Sequence, residues 1–326
     1  MLRRLRAPLT DRRAEQLLGA SAVAVVLVIV AMIVFIAISA WPSFQHNGLK
    51  WFGSGADVDA ELGEMVNGGP NPPDEAYRLR AWPLVYATAL TTILSVAVGV
   101  VLAVLASIFI VELAPPRVRS VVVPVVRLLA AVPSVVYGLI GILVLVPFIN
   151  NDLIDEAQRG SGSNVISRSG TGLLVSVILL TLMITPIMIS LTVDALTGVP
   201  RGWREGALAL GVTRWRAVMS VSVRSIRPAI VAAAVLASAR ALGEAIMLSM
   251  VSGSKGFSPQ PWDGLIFLFE PLRPLAATIA EQSEGINAPA LKASVYAMAL
   301  VLLVSSLMLS VGGSIIKRRF RVGTAR

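Results

Sequence analysis

The chain has 326 residues, 56% of them apolar and 14% charged, and a formal net charge of +9. Soluble domains carry roughly a quarter of their residues as charges, so this balance excludes an ordinary globular enzyme and points to a polytopic membrane protein. With no cysteine, disulfide staples, thiolate metal sites and cysteine nucleophiles are excluded as well, and the single histidine, His46, leaves little for histidine-based metal chemistry.

A hydrocarbon core of about 30 Å takes ~18 to 20 consecutive apolar residues of helix. Six stretches meet that length: 18 to 41, 83 to 113, 121 to 149, 171 to 196, 228 to 252 and 289 to 316. The expected fold is all-α, a bundle of six transmembrane helices over 18–316 between a basic interfacial segment (1–17) and a basic tail (317–326). The first span exceeds the ~7 to 15 apolar residues of a cleaved signal and is read as a retained helix. The loop at 42–82 carries "NGGPNPP" (67 to 73) and predicts mostly irregular chain.

In the third span, "AVPSVVYGLIGILVLVPF" (131 to 148) sets Pro133 inside an apolar helix, followed by Ser134, Tyr137, Gly138 and Gly141. Proline removes a backbone hydrogen bond and clashes with the preceding turn, so a kink or break is predicted here, either as packing or as a gate. Freed carbonyls at that depth need partners, and the hydroxyls of Ser134 and Tyr137 are candidates. The fourth span repeats the device less strongly with Pro186 in "TLMITPIMIS".

Between the fourth and fifth spans lies the cationic "REGALALGVTRWRAV" (204 to 218). Trp203, Ala207 and Leu210 recur at helical spacing, Gly211 can close the helix in the left-handed region, and Thr213 is placed to cap a second helix bearing Trp215, Val218 and Met219. Two short helices with a bend are therefore predicted within 197–227. Such a segment suits docking into a partner's groove or lying on lipid.

The fifth span is dense in alanine, serine and glycine, as expected for a helix packed closely inside a bundle. Arg240 and Glu244 are four residues apart, so a continuous helix stacks them on one face, roughly 18 and 24 Å from Pro228. An ionisable group near mid-membrane costs at least ~2.5 to 3.5 kcal/mol, and two readings account for it. Either the pair neutralises itself and locks the packing, or Arg240 offers a planar donor fork to an oxyanion. In the second reading Glu244 holds the guanidinium or accepts a proton from a hydrogen-bearing anion such as HPO4.

With the amino terminus inside, the inner segments hold 18 Lys and Arg and the outer ones 7, which predicts cytoplasmic termini and a cytoplasmic 197–227 segment. The positive charge is thereby accounted for by anionic lipid and calls for no nucleic acid.

"EGALALG" resembles the EAA motif of ABC importer permeases, with Glu205 and Gly211 as its fixed glutamate and glycine, Gly206 in place of the first alanine and Ala207 as the second. Arg224 stands where the pattern has proline. "AVPSVVYGLIGILVLVPF" and "ARALGEAIML" narrow the likeness to the phosphate-specific permeases of the PstC/PstA type, and the long first outer loop resembles the PstC side. The resemblance covers about residues 82 to 316.

It implies a type I ABC importer permease bundle in a bacterial inner membrane, paired with a PstA-like permease, two copies of a PstB-like cytoplasmic ATPase and an extracytoplasmic PstS-like phosphate-binding protein. Arg240 and Glu244 would line the path of inorganic phosphate, and the helices around Glu205, Gly206, Ala207, Gly211 and Trp215 would couple to the ATPase. No cofactor or catalytic residue is then expected on this chain; ATP and Mg²⁺ belong to the ATPase, consistent with the lack of any Gly-Lys dipeptide and hence of a Walker loop. The rival readings are a permease for molybdate or sulfate, an ion-driven secondary transporter, which would typically show repeat-related broken helices, and a signalling membrane protein.

Overall fold

The computed structural model describes residues 9–55, 57–154 and 170–322; residues 1–8 of the basic leading segment and 323–326 of the tail lie outside them. The described chain is helical, with one isolated bridge between Gly253 and Leu272. Five helices are long and apolar enough to cross a membrane, and a sixth span follows if the pair Arg214–Val223 and Arg227–Leu242, bent by 66°, counts as one.

Helix α1 (Leu9–Asn47) leads to a short α2 (Val58–Asn67). Then come α3 (Trp82–Ile108), prolonged by a π turn at Phe109–Leu113, and α4 (Pro116–Leu129). After α4, α5 (Ser134–Ile140) continues through π and α turns to Leu153. A 25-residue α6 (Leu173–Thr197) precedes two short helices, α7 (Arg201–Ala209) and α8 (Arg214–Ala217), the latter passing into a π turn at Val218–Val223. The chain closes with α9 (Arg227–Leu242), α10 (Ile246–Val251), α11 (Leu275–Glu281) and α12 (Pro289–Val322).

The centre of the bundle is α3 against α6. In an apolar surround, backbone carbonyls make good acceptors for hydroxyls on the facing helix, and three such bonds tie the pair. Ser95 donates to the Val177 carbonyl, Thr181 to that of Ser95 and Ser107 to that of Ile189, each at 3.3 Å. Leu179, Leu180, Met183 and Ile184 fill the core around them. By contrast α1 packs chiefly along α12 and leaves a continuous apolar surface outward, as a lipid-facing span must.

Three expectations change. The third span starts at Ser134, not at residue 121, because Pro116–Leu129 is a helix of its own. The fifth span is interrupted after Leu242 and resumes at Ile246. The described residues between α1 and α3 are structured, not irregular: α2 and short 3-10 turns at Gly48–Phe52 and Asp74–Tyr77 form a cap over one end of the bundle.

That cap has its own apolar core, in which Trp51, Leu62, Met65 and Leu79 meet Leu275, Leu291 and Met298. Asn47 closes it by donating to the Tyr77 carbonyl at 2.6 Å and accepting from the Leu79 amide at 3.0 Å. Arg273 locks it to α11, reaching Asp59 at 2.7 Å and Glu281 at 2.5 Å. Breaker residues set the turns of the loop, but its scattered apolar residues find a partner surface on α11 and α12 that local sequence does not display.

Candidate functional site

Two helix breaks form the first candidate region. After α4 the chain turns through residues 130–132, and Pro133 (φ −59°, ψ 139°) stands as the cap before α5. Its ring therefore occupies a helix boundary, where no intrahelical amide is lost. Tyr137 donates its hydroxyl at 3.2 Å to the Leu129 carbonyl, a terminal acceptor of α4 that also takes the Val132 amide. Ser134, the other expected donor, begins α5 and makes no side-chain hydrogen bond among the described residues.

The second break lies at Gly243 (φ −87°, ψ 1°), where α9 stops. Helical stacking of Arg240 over Glu244 consequently does not form. Glu244 is 8% exposed, and its carboxylate accepts from the Met247 amide at 3.1 Å, capping the first turn of α10. Glycine favours the interruption by its low helix propensity, and the carboxylate satisfies an amide that the restarted helix leaves orphaned.

Arg240 lies on the exposed face of α9, has no ion-pair or hydrogen-bond partner among the described residues, and is close enough to act electrostatically on the Tyr137 hydroxyl. The two breaks are joined by packing, since α5 runs against α10 and Gly138 meets Met247 and Met250 there. The structure thus packs the Pro133–Gly138 turn against α10, with Tyr137 within electrostatic reach of Arg240, and gives Glu244 a separate task at the start of α10. A guanidinium on an exposed helix face, with no ion-pair partner among the described residues, offers several donors to an oxyanion.

The second candidate region is the bent segment at the basic end of the bundle. Gly211 (φ +80°) makes the bend between α7 and α8, as its position predicts. Thr213 stands at the N-cap position of α8, yet its side chain makes no capping bond. Glu205, Gly206, Trp203 and Trp215 are exposed, the two tryptophans by more than half, and Ala207 is half-buried. Large aromatic surface held outward on short helices suits contact with a partner or with lipid.

Sequence reading missed the residue that holds this segment. Glu112, in the π turn at the end of α3, pairs with the Arg204 guanidinium, and its backbone carbonyl accepts from Arg214 at 2.7 Å. Val111, Glu112, Arg204, Leu208 and Arg214 line a cavity of about 480 Å³ between α3 and the segment. The available signal was a lone carboxylate ending an apolar span, in "FIVELAPP".

Comparison with known proteins accords with this architecture. Residues 96–322 match the family described as binding-protein-dependent transport system inner membrane component. The probable ABC transporter permease protein YqgH of Bacillus subtilis is 35% identical over 78% of this chain and 76% of its own. The phosphate transport system permease protein PstC 1 of Mycobacterium tuberculosis is 32% identical over 92% and 91%, and the probable PstC protein of Methanocaldococcus jannaschii 26% identical over 92% and 91%. Among solved structures, a chain of a bacterial alginate ABC transporter superposes with a TM-score of 0.61 at 14% identity, covering 96% of this chain and 97% of that one. A chain of the MetNI methionine ABC transporter gives 0.53 at 17%, covering 72% and 93%. These last two speak for the fold alone. With the family matched over most of its length, and with the interrupted helices and outward-facing bent segment in place, the chain belongs to the inner-membrane components of binding-protein-dependent transport systems.

Proposed function

We propose that the chain is the PstC-like permease subunit of an ATP-driven phosphate importer, with its termini and the α7–α8 segment in the cytoplasm. The observation that carries the substrate class is Arg240, a cation in a candidate membrane span with no ion-pair or hydrogen-bond partner among the described residues. An ionisable group within a membrane-spanning helix marks a functional site by default, and a transient anion is the kind of partner that suits an arginine with none among the described residues. Phosphate is favoured among oxyanions because several relatives that match nearly the whole chain are named phosphate permeases.

In this reading the loaded PstS-like protein docks over the capped outer end, and a PstA-like permease completes the path facing Arg240. Two PstB-like subunits bind ATP and Mg²⁺ and grip the α7–α8 segments of the two permeases. A bundle switches only when its partners bind its two arrangements differently, so ATP-driven closure shifts the population toward the arrangement that exposes Arg240 outward. This chain performs no covalent chemistry; it conducts and gates, with Glu244 holding the start of α10.

The test is uptake of labelled phosphate at low external concentration in cells lacking the gene, complemented with the wild-type chain or with Arg240→Ala, with sulfate and molybdate as controls. Restoration of phosphate uptake alone by wild type, and its loss in Arg240→Ala at equal membrane levels, is the expected result. A response of sulfate or molybdate in place of phosphate overturns the substrate assignment.

A further inference from the structure

The α7–α8 segment is joined to the bundle in two different ways. Its two ends are anchored by apolar packing: Val199 before α7, and Val218 and Ile226 after α8, sit in one cluster with Ile108 and Leu196 of α3 and α6. Between these ends α7 buries no residue, and two cationic side chains, one on each short helix, tie the segment to one acidic residue. Arg204 of α7 pairs with the Glu112 carboxylate, and Arg214 of α8 donates to the Glu112 carbonyl. Glu112 is thus gripped from both sides of the bend at Gly211.

The geometry depends on the π turn at Phe109–Leu113. One extra residue in a turn rotates everything after it by about 100° relative to an unbroken α-helix. That rotation sets Glu112 beneath α7, where its side chain is 6% exposed and that of Arg204 is 22% exposed. Water is largely excluded from the pair, so its attraction is weakly screened, and removing either partner strands the other charge.

We infer that Glu112 is a positioning residue for transport, clamping the bent segment to the end of α3 so that a displacement of α7 and α8 is delivered to α3 and, through it, to α6. This rests on the proposed function for the source of the displacement, the cytoplasmic ATPase, and adds the point at which it enters the bundle. The apolar anchor holds Val199, Val218 and Ile226 at the ends of the segment but grips no side chain of α7; the ionic clamp fixes α7 between those ends to α3.

The test uses the assembled importer in lipid vesicles, with both permeases, the ATPases and the loaded phosphate-binding protein, carrying Glu112→Gln, Arg204→Gln or both. Phosphate imported per ATP hydrolysed is expected to fall about tenfold in either single variant, the equivalent of 1.4 kcal/mol, and no further in the double variant, because partners in one contact are non-additive. A second readout exploits the cysteine-free sequence. Spin labels on Leu105→Cys of α3 and Ala209→Cys of α7 should give a narrow distance distribution that broadens in both Gln variants and stays narrow in Glu112→Asp.

Unchanged stoichiometry, strictly additive losses, or an unbroadened distribution in Glu112→Gln overturns the inference. The spin-label measurement needs no substrate. If the wild-type assembly imports no phosphate while the label distance still responds to Glu112→Gln, the clamp stands and the phosphate reading fails.

Discussion

Glu244 sets its carboxylate 3.1 Å from the Met247 amide and forms no ion pair with Arg240, four residues before it in the chain. The two charges therefore have separable roles, and their variants should separate too. Glu244→Gln keeps an acceptor for the amide and should transport at close to the wild-type rate, whereas Glu244→Ala loses a cap worth about 1 kcal/mol and should be partly impaired. Arg240→Ala should abolish uptake, and Arg240→Lys, which keeps the charge without the planar fork, should fall between. Labelled-phosphate uptake across the four variants decides the matter; equal damage from Glu244→Gln and Arg240→Ala would restore the picture of a mutually dependent pair.

The bent segment yields a second prediction through Gly211 and Gly206. At Gly211 a Cβ would meet nothing within 4 Å, but φ is +80°, so alanine there is opposed by backbone conformation at about 1 to 2 kcal/mol. Gly211→Ala should reduce uptake, while Gly211→Asn, which tolerates the left-handed region, should retain most of it. Gly206 lies in α7 with open space around its Cβ position, and Gly206→Ala should favour the helix by about 1 kcal/mol. A loss of uptake in Gly206→Ala with unchanged subunit stability would place a partner's surface directly against that position.

Trp215 offers a test of docking free of folding artefacts. It is 55% exposed, so Trp215→Ala leaves no cavity in this subunit. ATP hydrolysis should persist while phosphate import per ATP falls sharply, measured on purified complex normalised for subunit content. Import at the wild-type ratio would remove Trp215 from the coupling surface.

These residues also show what a sequence can display. Gly211 and the helices around it were readable because spacing, glycine chemistry and amphipathicity are local properties. Arg240 and Pro133 were readable as anomalies, a charge and a ring where an apolar helix wants neither. The spacing of Arg240 and Glu244 implies stacking only while the helix continues, and Gly243 ends it. Glu112 was missed because its meaning comes from Arg204 and Arg214, about a hundred residues away in sequence. The cap reads as irregular in sequence for a similar reason: Trp51 and Leu62 find their apolar partners on α11 and α12, far away in the chain.

The cap carries a pH prediction at Glu61. Burial raises its carboxyl pKa from the ordinary 4.5, partly offset by the hydrogen bond from the Arg80 amide and the charge of Arg80 and reinforced by Glu64 and Asp57. The folded state then binds this proton more tightly than the unfolded chain. Cap stability falls as pH rises from the ordinary glutamate range through the folded pKa, and is greatest on the acid side of it. Hydrogen-exchange protection of Val58–Asn67 should be higher at about pH 5 than at about pH 7.5, after correction for intrinsic exchange. In Glu61→Gln, which keeps an oxygen for the Arg80 amide at 2.8 Å, that difference should shrink; an unchanged difference would assign the pH dependence to another group.

The contact between α5 and its neighbours sets the last prediction, because two glycines there have no room to grow. A Cβ on Gly141 would stand 2.5 Å from Leu179 Cδ1 and 2.8 Å from Val251 Cγ1; one on Gly138 would stand 2.8 Å from Met250 Sδ and 3.3 Å from the Met247 Cα. Overpacking of this kind typically costs 1 to 3 kcal/mol, and the two sites should differ in how they yield. Met250 is unbranched and can swing its sulfur aside, but the Met247 backbone behind it holds the start of α10. At Gly141, Leu179 and the stiff, β-branched Val251 must both move, with α6 on one side and α10 on the other. Gly141→Ala should therefore lower the thermal midpoint of the detergent-solubilised subunit more than Gly138→Ala does. Transport should show the reverse order relative to stability, since Gly138 lies one residue from Tyr137 and against Met247, whose amide Glu244 caps. A Gly138→Ala chain that keeps both its midpoint and its uptake would show that α5 and α10 move apart freely, and that their contact has no part in gating.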